Sequence, residues 1–188
     1  CYVDDNKFEF EKGLNIISSR NGGGKSQLFN AFYWVFFNSI YTNYRENNTK
    51  KKWKSADDII LCPDFKKYCS NIHDEIETSV EISILAPYFR DDNAIEDDIP
   101  YKFRKIIVYE KNKDFLKISY NTGLQVEYVL NNETHIAQSF EIETLLNKIF
   151  PTSLRKFMWY QGETMDDLYD FSNNKTLRKA INGISYYP

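Results

Sequence analysis

Apolar and polar positions alternate first at Phe8 and Phe10, which are interleaved with Glu9 and Glu11 in the period-two pattern of a half-buried strand. Gly13 supplies a turn, and Leu14–Ile17 reads as a second strand. From about Lys25 the period changes to that of a helix. Leu28, Phe29, Ala31, Phe32, Val35, Phe36 and Ile40 cover most of its circumference, so the helix is expected to be packed on several sides. Tyr41 to Lys54 is polar and reads as a loop. Ile76, Val80, Ile82 and Ile84 alternate within a strand expected over Asp74 to Leu85, and the acidic stretch Asp91 to Asp98 reads as an exposed loop. Three more strands are expected, Tyr101–Glu110, Phe115–Tyr120 and Leu124–Leu130. They are joined at Lys111–Lys113 and at Asn121–Gly123 into an antiparallel meander. Ile142, Leu145, Leu146 and Ile149 mark one face of a helix stopped by Pro151. Phe157–Tyr160 reads as a short apolar strand, and Lys175–Asn182 as a last helix behind the polar cap Ser172–Asn174.

Composition narrows this picture only modestly. The 188 residues suit one domain with its own core, and the 42% apolar and 16% aromatic content is that of a globular chain. A net charge of −3 gives no general reason to bind nucleic acid, so any DNA contact must be local. Cys1, Cys62 and Cys69 match neither a disulfide framework nor paired zinc-ligand spacing, which favours a reducing, cytoplasmic setting. No apolar run reaches membrane-spanning length and no signal peptide is visible. The chain begins at Cys1, and a fragment of a longer protein is expected.

The chemistry concentrates between the expected strand at Leu14–Ile17 and the helix. Gly24-Lys25-Ser26 match the end of the phosphate-loop pattern G-x-x-x-x-G-K-[ST], while Ser19 stands where the leading glycine belongs. A strand runs into the loop and an apolar helix runs out of it, so free N–H groups and the helix dipole point at an anion. A plain Gly-rich connector is the alternative. Three consecutive glycines are costly in backbone entropy, and they suit a place where a ligand approaches the main chain.

Asn21-Gly22-Gly23-Gly24-Lys25-Ser26, after "GLNIIS" and before "LFNAFYWVFF", resembles the N-terminal ATPase lobe of SMC-like ATPases. These are ABC-type enzymes of DNA repair, chromosome maintenance and phage defence. "FMWYQGE", Phe157 to Glu163, resembles the Q-loop of the same family, and the two motifs bracket almost the whole chain. More than a hundred residues separate Lys25 from Gln161, whereas transporter ATPases have a much shorter gap. The resemblance implies an α/β fold with α+β character: a P-loop NTPase head whose N-terminal lobe, residues 1–188, has a mixed sheet, a P-loop helix and a strand-rich antiparallel insertion. It implies ATP and Mg²⁺ as cofactors. Lys25 would contact the β and γ phosphates, and the N–H groups of Gly22, Gly23, Gly24 and Lys25 would form the cradle. Asn21 would face the γ-phosphate side, Gln27 would follow in the first helical turn, Ser26 would coordinate Mg²⁺, and Gln161 would sense both Mg²⁺ and the γ-phosphate. The implied partners are the protein's own C-terminal lobe beyond a coiled coil, a second head in a homodimer, DNA, and a nuclease or effector subunit, with no membrane.

The rest of a hydrolytic site is not visible. Ile106-Ile107-Val108-Tyr109-Glu110 has the shape of a Walker B strand but runs into a Lys-Asn-Lys turn, and a hairpin is the plainer reading. His73 and His135 read as surface histidines. In the resembled family the signature motif, the Walker B acids and the switch histidine belong to the C-terminal lobe, so the general base is expected from outside this chain and the lobe alone is expected to be nearly inactive. Lys50 to Lys54 around Trp53 could touch a nucleic-acid backbone, although a solvated loop is the plainer reading. The rivals are a complete P-loop enzyme of another class, such as a kinase or GTPase, and a degenerate structural or DNA-docking lobe.

Overall fold

The computed structural model describes residues 5–13, 15–20, 23–41, 45–46, 49–50, 53–55, 71–90, 93–112 and 116–151. The chain divides into two compact units, Cys1–Val80 with Lys105–Gly123, and Glu81–Arg104 with Leu124–Pro188. Helix α1 (Lys25–Phe37) is followed by four short strands: β1 (Ser39–Tyr41), β2 (Arg45–Glu46), β3 (Thr49–Lys50) and β4 (Trp53–Ser55). Long strands β5 (Glu75–Arg90), β6 (Asn93–Lys111) and β7 (Leu116–Leu130) come next, then β8 (Glu133–Ile136) and helix α2 (Ser139–Ile149). The sheet order β5-β6-β7-β8 follows the chain, as the expected meander requires. The fold is mixed α/β with an antiparallel sheet and, among the described residues, two helices.

In the first unit the core forms where α1 meets the strands. Trp34, Ile40, Ile107 and Tyr109 are buried together, with Val80 packed against them. Helix α1 is lined by aromatic pairs four residues apart: Phe29–Tyr33, Tyr33–Phe37 and Phe32–Phe36 each have ring centroids 4.6 Å apart. Its apolar circumference therefore reflects packing. Ile40, expected on this helix, lies instead on β1, because Asn38 turns the chain into the left-handed region at φ 49 and ends the helix.

Two other expectations fail in this unit. Tyr41–Lys54 is not a plain loop, since β1 pairs antiparallel with β4 (Tyr41 opposite Trp53) and β2 with β3 (Arg45 opposite Lys50). Ladder bonds join backbone groups, so a polar sequence does not prevent them. Conversely, residues 8–11 and 15–17 form no strand, although Gly13 does turn the chain, at φ 106. A side chain replaces the ladder there: the Asn15 amide donates to the Glu11 carbonyl at 2.7 Å, and its oxygen accepts from the Glu11 N–H at 3.0 Å. Phe8, Phe10, Ile16 and Ile17 remain exposed.

The turn expected at Asn121–Gly123 is also absent, and β7 runs through it as one strand. Gly123 takes φ 66, and the Thr122 hydroxyl accepts from the Ile106 N–H at 3.0 Å while donating to the Gly123 carbonyl at 2.8 Å. A local distortion of this kind accommodates a positive φ without breaking the strand. The hairpin turn lies further on, at Asn131 and Asn132, with φ 53 and 65. Two consecutive positive φ values suit the twist of the flanking strands, and asparagine tolerates them. Strand β6 likewise starts at Asn93, inside the expected acidic loop, again because ladder pairing does not depend on side-chain polarity.

The second unit is built on a row of rings. Tyr128 lies 6.0 Å from Tyr88, 5.8 Å from Tyr101 and 5.3 Å from the His135 ring, which stacks on it at 17°. Tyr128 and His135 are direct cross-strand partners, the arrangement in which paired rings stabilise a sheet. Tyr101, Phe103 and Val126 are almost wholly buried, and Phe103 meets Phe150 just past α2 at 6.3 Å. The Glu141 carboxylate accepts from the Gln138 N–H at 2.8 Å and closes the start of α2. Pro151 follows the helix, as its sequence position suggests, and is buried.

Candidate nucleotide-phosphate site

The site begins where the chain enters α1. Gly24 caps the helix at φ 85, a left-handed conformation that costs other residues roughly 1–2 kcal/mol. Its carbonyl accepts the first helical bonds, from Gln27 N–H at 2.9 Å and Leu28 N–H at 3.1 Å. The first turn contains no acidic residue, so no side chain of the turn offsets the positive end of the dipole.

The preceding loop folds around the Lys25 ammonium. Lys25 Nζ donates to the Ser19 carbonyl at 2.6 Å, to the Arg20 carbonyl at 3.2 Å and to Ser19 Oγ at 3.3 Å. The Gly23 N–H also donates to the Arg20 carbonyl, at 3.0 Å. A Cβ at Gly23 would lie 2.9 Å from Ser19 Cβ, 3.0 Å from the Arg20 carbonyl and closer still to Ser19 Oγ. Glycine at 23 is therefore required by close approach of the loop to itself, and Ser19 is the residue it approaches. The departure at Ser19 thus has a steric counterpart that the linear motif does not show.

Gly23, Gly24, Lys25, Ser26 and Gln27 are brought together at this helix start, with Ser26 and Gln27 exposed and Lys25 partly so. Asn21, Gly22 and Gln161 lie outside the described residues, as do Cys1, Cys62, Cys69, the 157–160 strand and the 175–182 helix. At the other end of α1, Lys105 is buried, with its Nζ 5.2 Å from the Trp34 ring centroid and donating to Asn38 Oδ1. That cation sits at the negative end of the same helix, where it complements the dipole. Nothing in the linear sequence pairs Lys105 with this helix.

Glu110 ends the Walker-B-like run but is engaged elsewhere, since its Oε1 lies 2.5 Å from His73 Nδ1. His73 takes φ 71 and its N–H donates to the Lys111 carbonyl at 2.9 Å, so this pair closes the end of a strand ladder. His135 belongs to the aromatic row. Both were expected as surface histidines: His73 is exposed, its partner Glu110 lying 37 residues away, while His135 is half-buried against Tyr128 on the adjacent strand. Among the described residues no group of His, Cys, Asp and Glu could hold a metal ion, and no helix is long and apolar enough to cross a membrane.

A glycine-lined loop, a lysine reaching back into it and a helix N-terminus with no acidic residue in its first turn are the features of a phosphate cradle, and they define the protein as a P-loop nucleotide-binding type. Residues 1–184 match the AAA domain, and the chain belongs to that family. Membership implies ATPase chemistry in general, with a nucleotide and usually Mg²⁺. No curated protein and no solved structure matches the chain.

Proposed function

We propose that the chain is the N-terminal, ATP-binding lobe of an SMC-like ATPase head, which uses ATP binding and hydrolysis to drive head dimerisation and to act on DNA in repair, maintenance or phage defence. The observation that carries this reading is the Lys25 loop at the start of a helix partly buried in the core, within an AAA-domain match spanning residues 1–184. The long antiparallel sheet between Lys25 and Gln161 supports the SMC-like branch. Lys25 would neutralise the β and γ phosphates, and the N–H groups of Gly22 to Lys25 would wrap them, with Asn21 towards the γ side and Gln27 in the adjoining turn. Ser26 and Gln161 would hold Mg²⁺, which supplies charge neutralisation between the phosphates. The general base would come from a C-terminal lobe.

Two further observations support the partners. The exposed row Phe8, Phe10, Ile16 and Ile17 leads directly into the loop and suits cover by that lobe. The sequence from Ser39 to Ser55, within which β1 pairs with β4 and β2 with β3, has five Lys or Arg and one Glu in a chain of net charge −3, a local cationic stretch suited to a DNA backbone.

Calorimetric titration with Mg²⁺–ATP tests the reading. Lys25→Met should weaken binding at least about tenfold, the loss of a charge-assisted contact. Equal affinity in wild type and variant would sink the phosphate cradle.

A further inference from the structure

Ser19 is the one position where the loop departs from its pattern, and it touches both residues on which a phosphate cradle depends. Its carbonyl and hydroxyl both accept from Lys25 Nζ, and its side chain fills the space that a Cβ at Gly23 would need. An ammonium has three donors. With the Ser19 carbonyl, the Arg20 carbonyl and Ser19 Oγ, the Lys25 ammonium has three acceptors inside its own loop. Ser19 Oγ also donates to the Arg20 carbonyl at 3.2 Å, so hydroxyl, carbonyl and ammonium form one closed set.

A phosphate entering the cradle must take donors away from that set. The bond to the Ser19 carbonyl, at 2.6 Å, is the shortest and comes from backbone, so it can persist whatever side chain stands at 19. The bond to Ser19 Oγ, at 3.3 Å, is the longest and exists only because residue 19 is not glycine. We infer that Ser19 is a positioning residue for Lys25: its hydroxyl holds the ammonium within its own loop and competes with the nucleotide's phosphate oxygens, setting the affinity of the site below that of a loop with glycine there. The inference rests on the phosphate-cradle reading.

The test is a double-mutant cycle on Mg²⁺–ATP affinity with Ser19→Ala, Lys25→Met and the pair. Ser19→Ala keeps the Cβ and removes only the hydroxyl. It should tighten binding by roughly two- to tenfold, the range of one net hydrogen bond. The gain should vanish in the Lys25→Met background, because the hydroxyl acts through that ammonium. Unchanged or weaker binding by Ser19→Ala overturns the inference while leaving the cradle intact. A gain that persists without Lys25 also overturns it, since the effect would then be one of loop shape alone. Equal affinity of wild type and Lys25→Met would overturn the cradle reading and this inference with it.

Discussion

At Asn38 the backbone adopts φ 49 to end α1, and the same side chain accepts from buried Lys105, whose ammonium also lies over Trp34. These two roles separate under substitution. Asn38→Gly keeps the left-handed conformation without strain but removes the acceptor, whereas Asn38→Ala removes the acceptor and adds the left-handed penalty of about 1 kcal/mol. Chemical denaturation should find both variants less stable than wild type, with Asn38→Ala the lower of the two by roughly that amount. Equal stability of Asn38→Gly and wild type would show that the bond to Lys105 contributes nothing. Lys25 and Gly24 were legible as candidate site residues because the loop pattern depends on neighbours in sequence. Lys105 was not, since the contact that gives it a role spans 67 residues.

Strand β7 depends on a device that reads in the sequence as its opposite. Asn121-Thr122-Gly123 has turn composition, yet Thr122 bonds to Ile106 on the neighbouring strand and the chain continues. Thr122→Val retains the shape and leaves the Ile106 N–H without its acceptor. The expected loss is about 1–2 kcal/mol in unfolding free energy, with an unchanged denaturant slope. A variant as stable as wild type would remove the hydroxyl from the account of this strand. The helices were legible because apolar spacing and Pro151 mark them, and β5 because Ile76, Val80, Ile82 and Ile84 alternate. The pairings of β1 with β4 and of β2 with β3 were hidden by the polarity of their residues. The apolar alternation at Phe8 and Phe10 pointed to a strand, but pattern specifies a preference and pairing needs a neighbour.

At the scale of the whole molecule, the aromatic row links the fold to pH. Burial, with Tyr88 and Tyr128 nearby, pushes the Tyr101 phenol up to about 12, and its hydroxyl donates to the Pro87 carbonyl at 3.2 Å. The folded state therefore keeps this proton where an unfolded tyrosine, with pKa near 10, has lost it. The contribution is fully present below pH 10 and is lost as pH rises towards 12. Stability measured against pH should fall more gently for Tyr101→Phe than for wild type across that window. Parallel curves would show that Tyr101 is not the group responsible. Trp34 carries a different consequence. Its indole N–H is buried with no hydrogen-bond partner among the described residues, a cation lies over its ring, and it shares a helix with Lys25. Indole emission responds to nearby charge, so with Trp53 and Trp159 replaced by Phe the protein would contain a native optical probe. Any shift of the P-loop helix against Lys105 on nucleotide binding would then appear as a change of colour, with no label attached.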